Sequence, residues 1–210
     1  MGSQDGLMQL LTESGIAGES NSAHRLLEYY ALLEKWNSRI NLTASTEWLD
    51  IKPLFLEGIW ASQLYPPDAL FHLDIGTGAG FPAVILGILV PRIHLEMVES
   101  RVKKGVFLET VVQALRMNQA RVHQNRLDAF LRHGGDNTVW DCITWKGLKL
   151  RAKDLLRLRA RTHPRTEFWM FHGGKPAMEE PEMIEANLRL LRNERFPFRN
   201  QWNLSIYLPR

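Results

Sequence analysis

The chain has 210 residues, a 45% hydrophobic share and a single cysteine, Cys142; this excludes a disordered chain, an intrachain disulfide and a cysteine-rich metal site. The length suits one full α/β domain plus an appendage, at ~100–200 residues per domain. The formal net charge of +3 hides an asymmetry, net −7 over residues 1–100 against +10 over 101–210, a pattern that suits a polyanionic partner.

In chain order, residues 1–66 read as a small helical region. Leu26, Leu27, Tyr30, Leu32, Leu33 and Trp36 recur at helical spacing and face a core. Asn37, Asn41 and Thr43 then interrupt the pattern with side chains that bond their own backbone, which predicts a turn. Tyr65-Pro-Pro-Asp68 marks the boundary to a second domain, 67–210. Phe71, Leu73 and Ile75 alternate with His72 and Asp74 as a strand, which runs into Gly76-Thr-Gly-Ala-Gly80, and Pro82 stands where a helix begins. Further strands are expected at Ile93–Val98, Arg121–Asn125, Val139–Trp145, Glu167–Phe171, Arg195–Arg199 and Leu204–Leu208, the last two as an antiparallel edge pair. Strands alternating with helices predict a mostly parallel sheet covered on both faces.

A glycine-rich turn between strand and helix lets a ligand approach backbone N–H groups. A dinucleotide site calls for G-x-G-x-x-G, but Phe81 stands three residues after Gly78. The G-x-G-x-G spacing after Asp74 resembles instead the first motif of class I S-adenosylmethionine (SAM) methyltransferases. Asp74 either ties the glycine loop through backbone N–H groups or sits by the methionine moiety. Glu99 ends the second strand 19 residues after Gly80; an acid there reaches the ribose hydroxyls of a bound adenosine, the alternative being a strand end that caps the next helix.

Three segments together sharpen the resemblance: Trp36-Asn37…Asn41-Leu42-Thr43, Asp74-Ile-Gly-Thr-Gly-Ala-Gly-Phe-Pro82, and Glu99-Ser100…Lys103-Lys104…Phe107-Leu108. Over residues 24–132 the chain resembles the bacterial 16S ribosomal RNA guanine-N7 methyltransferase family, called RsmG or GidB, as a divergent member. The resemblance implies a Rossmann-like α/β methyltransferase domain, SAM as cofactor, and 16S ribosomal RNA or the 30S subunit as partner. It also implies SAM contacts from Gly76, Gly78, Gly80 and Phe81, with Leu127 and Asp128 bordering the adenine; Asp128 reads equally well as a helix cap.

Departures from the family pattern are as informative. Its His-x-Leu-Asp-Ser segment reads Pro53-Leu-Phe-Leu-Glu57-Gly, so the histidine is gone and Glu57 stands in for the acid. Ser-Arg-Ala after the fourth strand reads Thr144-Trp145-Lys146-Gly147, which leaves a cation without a bidentate fork. Leu-Lys-Gly after the fifth strand reads Phe171-His172-Gly173-Gly174-Lys175, with the lysine lost or displaced to Lys175.

Guanine N7 carries an available lone pair and no proton, so its methylation needs positioning rather than a general base. Cytosine C5 methylation would require a cysteine nucleophile, and Cys142 lies in an apolar strand, where cysteine is ordinary packing. Lys146, Lys149, Arg151 and Lys153 open a run of eight basic residues and one acid over Lys146–Arg165, read as an amphipathic helix facing RNA, the alternative being a solvated helix face. Lys103 and Lys104 are further RNA candidates, each with a plain reading as a solubilising lysine; Trp145 and His172 are candidates to flank an unpaired base, the alternatives being core at a strand end for Trp145 and a plain strand-end histidine for His172. The alternatives are a SAM methyltransferase with a small-molecule or protein substrate, and a non-catalytic SAM- or RNA-binding relative. No stretch reaches the ~20 apolar residues of a membrane helix, and a cytoplasmic monomer is expected.

Overall fold

The computed structural model describes residues 3–133, 138–174 and 180–210. Three helices come first, α1 (Ser3–Glu13), α2 (Asn21–Asn37) and α3 (Trp48–Leu64). Ser20 opens α2 by accepting the Ala23 N–H at 3.1 Å. Asn37 closes it: its Oδ1 accepts the N–H groups of Leu42 and Thr43 at 2.9 and 3.0 Å, which folds the turn expected from the sequence.

Strands and helices then alternate as β1 (Phe71–Ile75), α4 (Ala83–Leu89), β2 (His94–Val98), α5 (Val102–Ala114), β3 (Ala120–His123), α6 (Leu127–His133), β4 (Trp140–Lys146), α7 (Ala152–Arg159), β5 (Thr162–Gly173), α8 (Pro181–Glu185), β6 (Leu188–Arg195) and β7 (Trp202–Pro209). The seven strands form one sheet in the order β3-β2-β1-β4-β5-β7-β6. Strands β1 to β5 pair in parallel, while β7 runs antiparallel to both β5 and β6. The order reverses between β1 and β4, and a ligand crevice in such a sheet opens at that point, beyond the carboxyl ends of the strands.

Alternation along the strands sorts the buried residues onto two faces. His72, Asp74, Cys142, Thr144, Trp169 and Phe171 share one face; Leu73, Ile75, Ile143, Trp145, Phe168 and Met170 share the other. The first face packs beneath α1 to α5 in a continuous core that holds Leu26, Tyr29, Phe55, Val84 and Phe107. The second packs against α6 to α8 through Phe130, Leu155, Leu158 and Met183. No helix among the described residues is long and apolar enough to cross a membrane.

Two sequence expectations are corrected. The basic run Lys146–Arg165 is not one helix. Lys146 ends β4, Gly147 turns the chain at φ 64°, only Ala152–Arg159 is helical, and Thr162–Arg165 already belongs to β5. Leucines interleaved with cations suit a strand end, a loop and a short helix as well as one long helix. The strand expected at Arg195–Arg199 lies earlier, at Leu188–Arg195, and residues 196–201 form the turn into β7. As an edge strand, β6 carries Arg189, Arg192, Glu194 and Arg195, a charged pattern that hides it from a search for apolar runs. The antiparallel edge pairing of the last two strands is as expected.

Candidate active site

The glycine loop follows β1 at the switch point. Gly76, Gly78 and Gly80 have φ of 68°, 63° and 102°, a region side chains rarely adopt. Gly80 also lacks room for one: a Cβ there would fall 2.6 Å from Val84 Cγ2 and 2.9 Å from the Tyr29 hydroxyl. That hydroxyl donates to Ala79 O at 2.7 Å, so α2 holds the loop from behind. Phe81 is buried against the rings of Tyr29 and Phe55, at centroid distances of 5.4 and 5.5 Å.

In front of the loop lies a cleft of about 510 Å³, lined among others by Gly76, Gly78, Glu99, Leu127, Leu148 and Arg151. Glu99 is 6% exposed; its Oε2 accepts the Gly78 N–H and its Oε1 the Arg101 N–H, each at 2.8 Å. A carboxylate offers about four lone-pair directions, so these two bonds leave acceptor capacity toward the cleft. Glu99 thus ties the loop, a role the sequence offered for Asp74, and lines the cavity, while the Asp74 carboxylate accepts from Thr144 instead. Leu148, after β4, folds over Gly76 and occupies the place of a Cβ there.

Asp74 lies beneath the cleft, 2% exposed, at the end of a buried polar chain. The Tyr65 hydroxyl donates to His72 Nδ1 at 3.0 Å, His72 Nε2–H donates to Thr144 Oγ1 at 2.9 Å, and Thr144 donates to Asp74 Oδ1. Because Thr144 has one proton and gives it to Asp74, His72 must carry its proton on Nε2. Burial pushes His72 down to about 3 and Asp74 up to about 6, the latter opposed by hydrogen bonds from Thr144 and Thr77 and by the charge of Lys146. The single Thr77 proton is shared with the Asp74 carbonyl, 3.2 Å from Oγ1. The sequence showed His72 only as a polar residue in a strand; its burial on the helix-covered face is what makes it part of this chain.

A second cluster stands at the ends of β4, β5 and β7. Lys146 Nζ lies 2.5 Å from Oε1 of Glu57, a carboxylate on α3 that is 1% exposed. The other Glu57 oxygen accepts Trp202 Nε1–H. His172, at the end of β5, donates from Nε2 to Ser205 Oγ at 2.8 Å, since Ser205 donates onward to Asn193 Oδ1.

The remaining candidates are dispersed. Asp128 lies in the first turn of α6 and pairs with Arg132 at 3.1 Å, an ion pair along the helix rather than the cap of the plain reading. Lys104 lines the cleft and reaches Leu42 O at 3.3 Å, its pKa lowered by burial and by Arg101 beside it. Lys149 pairs with Glu182 at 2.9 Å and Arg151 with Asp154 at 2.8 Å. Lys103 and Lys153 are exposed. Trp145 is 1% exposed in the second core and offers no face to a base. Cys142 is fully buried, which raises its thiol well above the ordinary range. Lys175 lies outside the described residues. Trp202 went unnoticed in the sequence, although an aromatic among Arg195, Phe196, Phe198 and Arg199 was a usable signal.

Solved structures of the same architecture include several methyltransferases. The mitomycin 7-O-methyltransferase MmcR matches with a TM-score of 0.61 at 11% identity, over 97% of this chain and 67% of its own. A SAM-dependent methyltransferase from Aquifex aeolicus matches with a TM-score of 0.56 at 15% identity, over 75% of this chain and 91% of its own. The fold, with its glycine loop at the switch point, is therefore that of the Rossmann-like class I SAM methyltransferases.

The family model described as rRNA small subunit methyltransferase G, GidB, matches residues 22–194. Ribosomal RNA small subunit methyltransferase G of Wolinella succinogenes is 32% identical over 143 residues, 68% of this chain and 64% of that protein. Its counterpart in Roseiflexus castenholzii is 31% identical over 141 residues, 67% and 60% of the two chains. The chain belongs to this family, as its motifs led us to expect. It spans less than two thirds of the length of these relatives.

Proposed function

We propose that this protein is a SAM-dependent methyltransferase that methylates N7 of a guanine in 16S ribosomal RNA. The observation that carries the reading is the glycine loop bound to Glu99 at the mouth of the switch-point cleft. The cradle fits the cofactor: positive-φ glycines bring bare backbone to the cleft, and Glu99 faces it as an acceptor suited to ribose hydroxyls. Gly76, Gly78, Glu99 and Leu127 line the pocket, while Asp74, Gly80 and Phe81 support it from below. Family membership supports ribosomal RNA as the substrate.

Bound SAM supplies an electrophilic sulfonium methyl. The chain's part is to orient and enclose. Guanine N7 has no proton to remove, and no residue here is cast as a general base. Leu148 covers Gly76. We take the base to enter past the ends of β4 and β5, where Lys146, His172 and Trp202 stand and the chain after Lys146 runs into the cleft lining at Leu148.

Transfer of label from radiolabelled SAM, with naked 16S RNA, 30S subunits and a cell extract offered side by side, tests the reading. Label in RNA is expected. Label confined to protein or small molecules would replace the RNA substrate by another class.

A further inference from the structure

The turn between β6 and β7, Arg195-Phe-Pro-Phe-Arg-Asn-Gln-Trp202, lies beyond the residues matched by the family model and plays no part in the cofactor cleft. It is built as a platform. Phe196 is 1% exposed and packs against Trp60 of α3, with ring centroids 5.5 Å apart. Phe196 N–H donates to Trp202 O at 2.9 Å, and Gly174 N–H donates to Gln201 O at 2.8 Å, which pins the turn to the end of β5. On this anchored base Phe198 stands 57% exposed, edge-on to Phe196 at 5.5 Å. Arg199 lies over the Trp202 ring, its guanidinium carbon 4.4 Å from the centroid. Arg195 and Arg199 are exposed and form no ion pair among the described residues, and across 189–201 four arginines face one acid, Glu194.

The position of the turn matters as much as its chemistry. Trp202 pairs with Gly173 at the carboxyl end of β5, and its indole shares Glu57 with Lys146 at the end of β4. The turn therefore stands on the sheet edge that also carries the glycine loop, beside the entrance assigned to the base. An exposed aromatic set between unpaired arginines suits single-stranded RNA, whose unpaired bases stack on rings while its phosphates take cations. A protein interface also takes aromatics and arginine; what favours a polyanion here is the excess of four arginines over one acid across 189–201.

We propose that the Arg195–Trp202 turn docks single-stranded RNA, one base stacking on Phe198 and the neighbouring phosphates held by Arg195 and Arg199. The inference rests on the RNA-methylating reading and adds where the strand flanking the target base is held.

The test is fluorescence anisotropy with a labelled 12-nucleotide single-stranded RNA and its duplex, with SAM affinity measured on the same samples. Loss of one stacked base in Phe198→Ala is expected to weaken single-strand binding about tenfold, with Phe198→Trp restoring it and SAM affinity unchanged. Arg195→Gln/Arg199→Gln is expected to lower the slope of log K against log salt by about 1.4, two phosphates at ~0.7 each for a single strand. Wild-type affinity in Phe198→Ala, equal losses for duplex and single strand, or no RNA binding by the unaltered protein would each overturn the docking surface. RNA methylation that persists with Phe198→Ala binding as wild type would overturn the surface and leave the function standing. RNA bound through the turn without any methyl transfer would do the reverse.

Discussion

Lys146 Nζ sits 2.5 Å from Glu57 Oε1 across 89 residues of sequence, and these are two of the positions at which the chain departs from its family's pattern. The acid on α3 and the cation ending β4 meet beside the entrance to the site, and Trp202 Nε1–H completes the Glu57 carboxylate. The departures thus form one local arrangement.

Removing Lys146 would leave Glu57 buried without its cation. Breaking a buried pair from one side costs about 3–5 kcal/mol; with the Lys146 side chain 19% exposed, we expect a loss of roughly 2–3 kcal/mol in Lys146→Met. Urea unfolding of Lys146→Met, Glu57→Gln and the double variant checks this. The double variant should be closer to wild type than Lys146→Met, because no charge is then left uncompensated. Strict additivity of the two losses would contradict the pairing.

The chain from Tyr65 to Asp74 makes a pH-dependent prediction. Asp74 titrates near 6 in the fold, because of burial, against an ordinary 3.8. The folded protein therefore holds this proton more tightly than the unfolded chain, so burying Asp74 costs stability above pH 6. That cost disappears as pH falls through 6 toward 3.8. Asp74→Asn, which still accepts from Thr144, should be more stable than wild type by roughly 3 kcal/mol at pH 8, about two units at 1.36 kcal/mol each. The advantage should vanish near pH 4. Thermal denaturation of both proteins across pH 4–8 reads it, and a pH-independent difference would contradict the burial of an ionised Asp74.

His72 has the opposite sign. Burial lowers it from 6.5 to about 3, so below pH 6.5 the unfolded chain takes up a proton that the fold refuses. Wild type should lose stability relative to His72→Gln by up to about 1.4 kcal/mol per pH unit as pH falls from 6.5. In wild type this loss is offset by Asp74 between pH 6 and 3.8; Asp74→Asn lays it bare. Denaturant midpoints at pH 7, 6 and 5 measure it, and parallel curves for wild type and His72→Gln would exclude a neutral buried His72.

Glu99 joins the loop to the cleft, so its charge should matter for cofactor affinity more than for folding. Glu99→Gln keeps an acceptor but loses the charge that strengthens each hydrogen bond. The SAM Kd should rise roughly tenfold, the difference of about 1.4 kcal/mol between charged and neutral acceptors. Isothermal titration with SAM decides, and an unchanged Kd would remove Glu99 from the cofactor site.

What the sequence made legible was local. The strand, the glycine loop and Glu99 lie within 29 residues, and their spacing alone placed the cleft. The Asn37 turn followed from a side chain bonding its own neighbours. What stayed hidden depends on distant parts of the chain. Glu57 meets Lys146, and His72 meets Thr144 from 72 residues away, through strand register and helix packing that no window of sequence displays. The basic run misled because interleaved leucines fit several elements, and β6 escaped because an edge strand carries charge where an inner strand carries apolar residues. Trp145 read either as a partner for a base or as core at a strand end and lies in the core, while Trp202, which shares Glu57 with Lys146, drew no notice.

The central claim is methylation of guanine at N7, and the most direct measurement is chemical. N7-methylguanine makes the RNA backbone labile to mild reduction followed by amine-catalysed cleavage. Primer extension on 16S RNA treated with the protein and SAM should stop at one guanine, and not when SAM is omitted. RNA that takes up label from SAM yet survives this cleavage intact would contradict N7 as the acceptor.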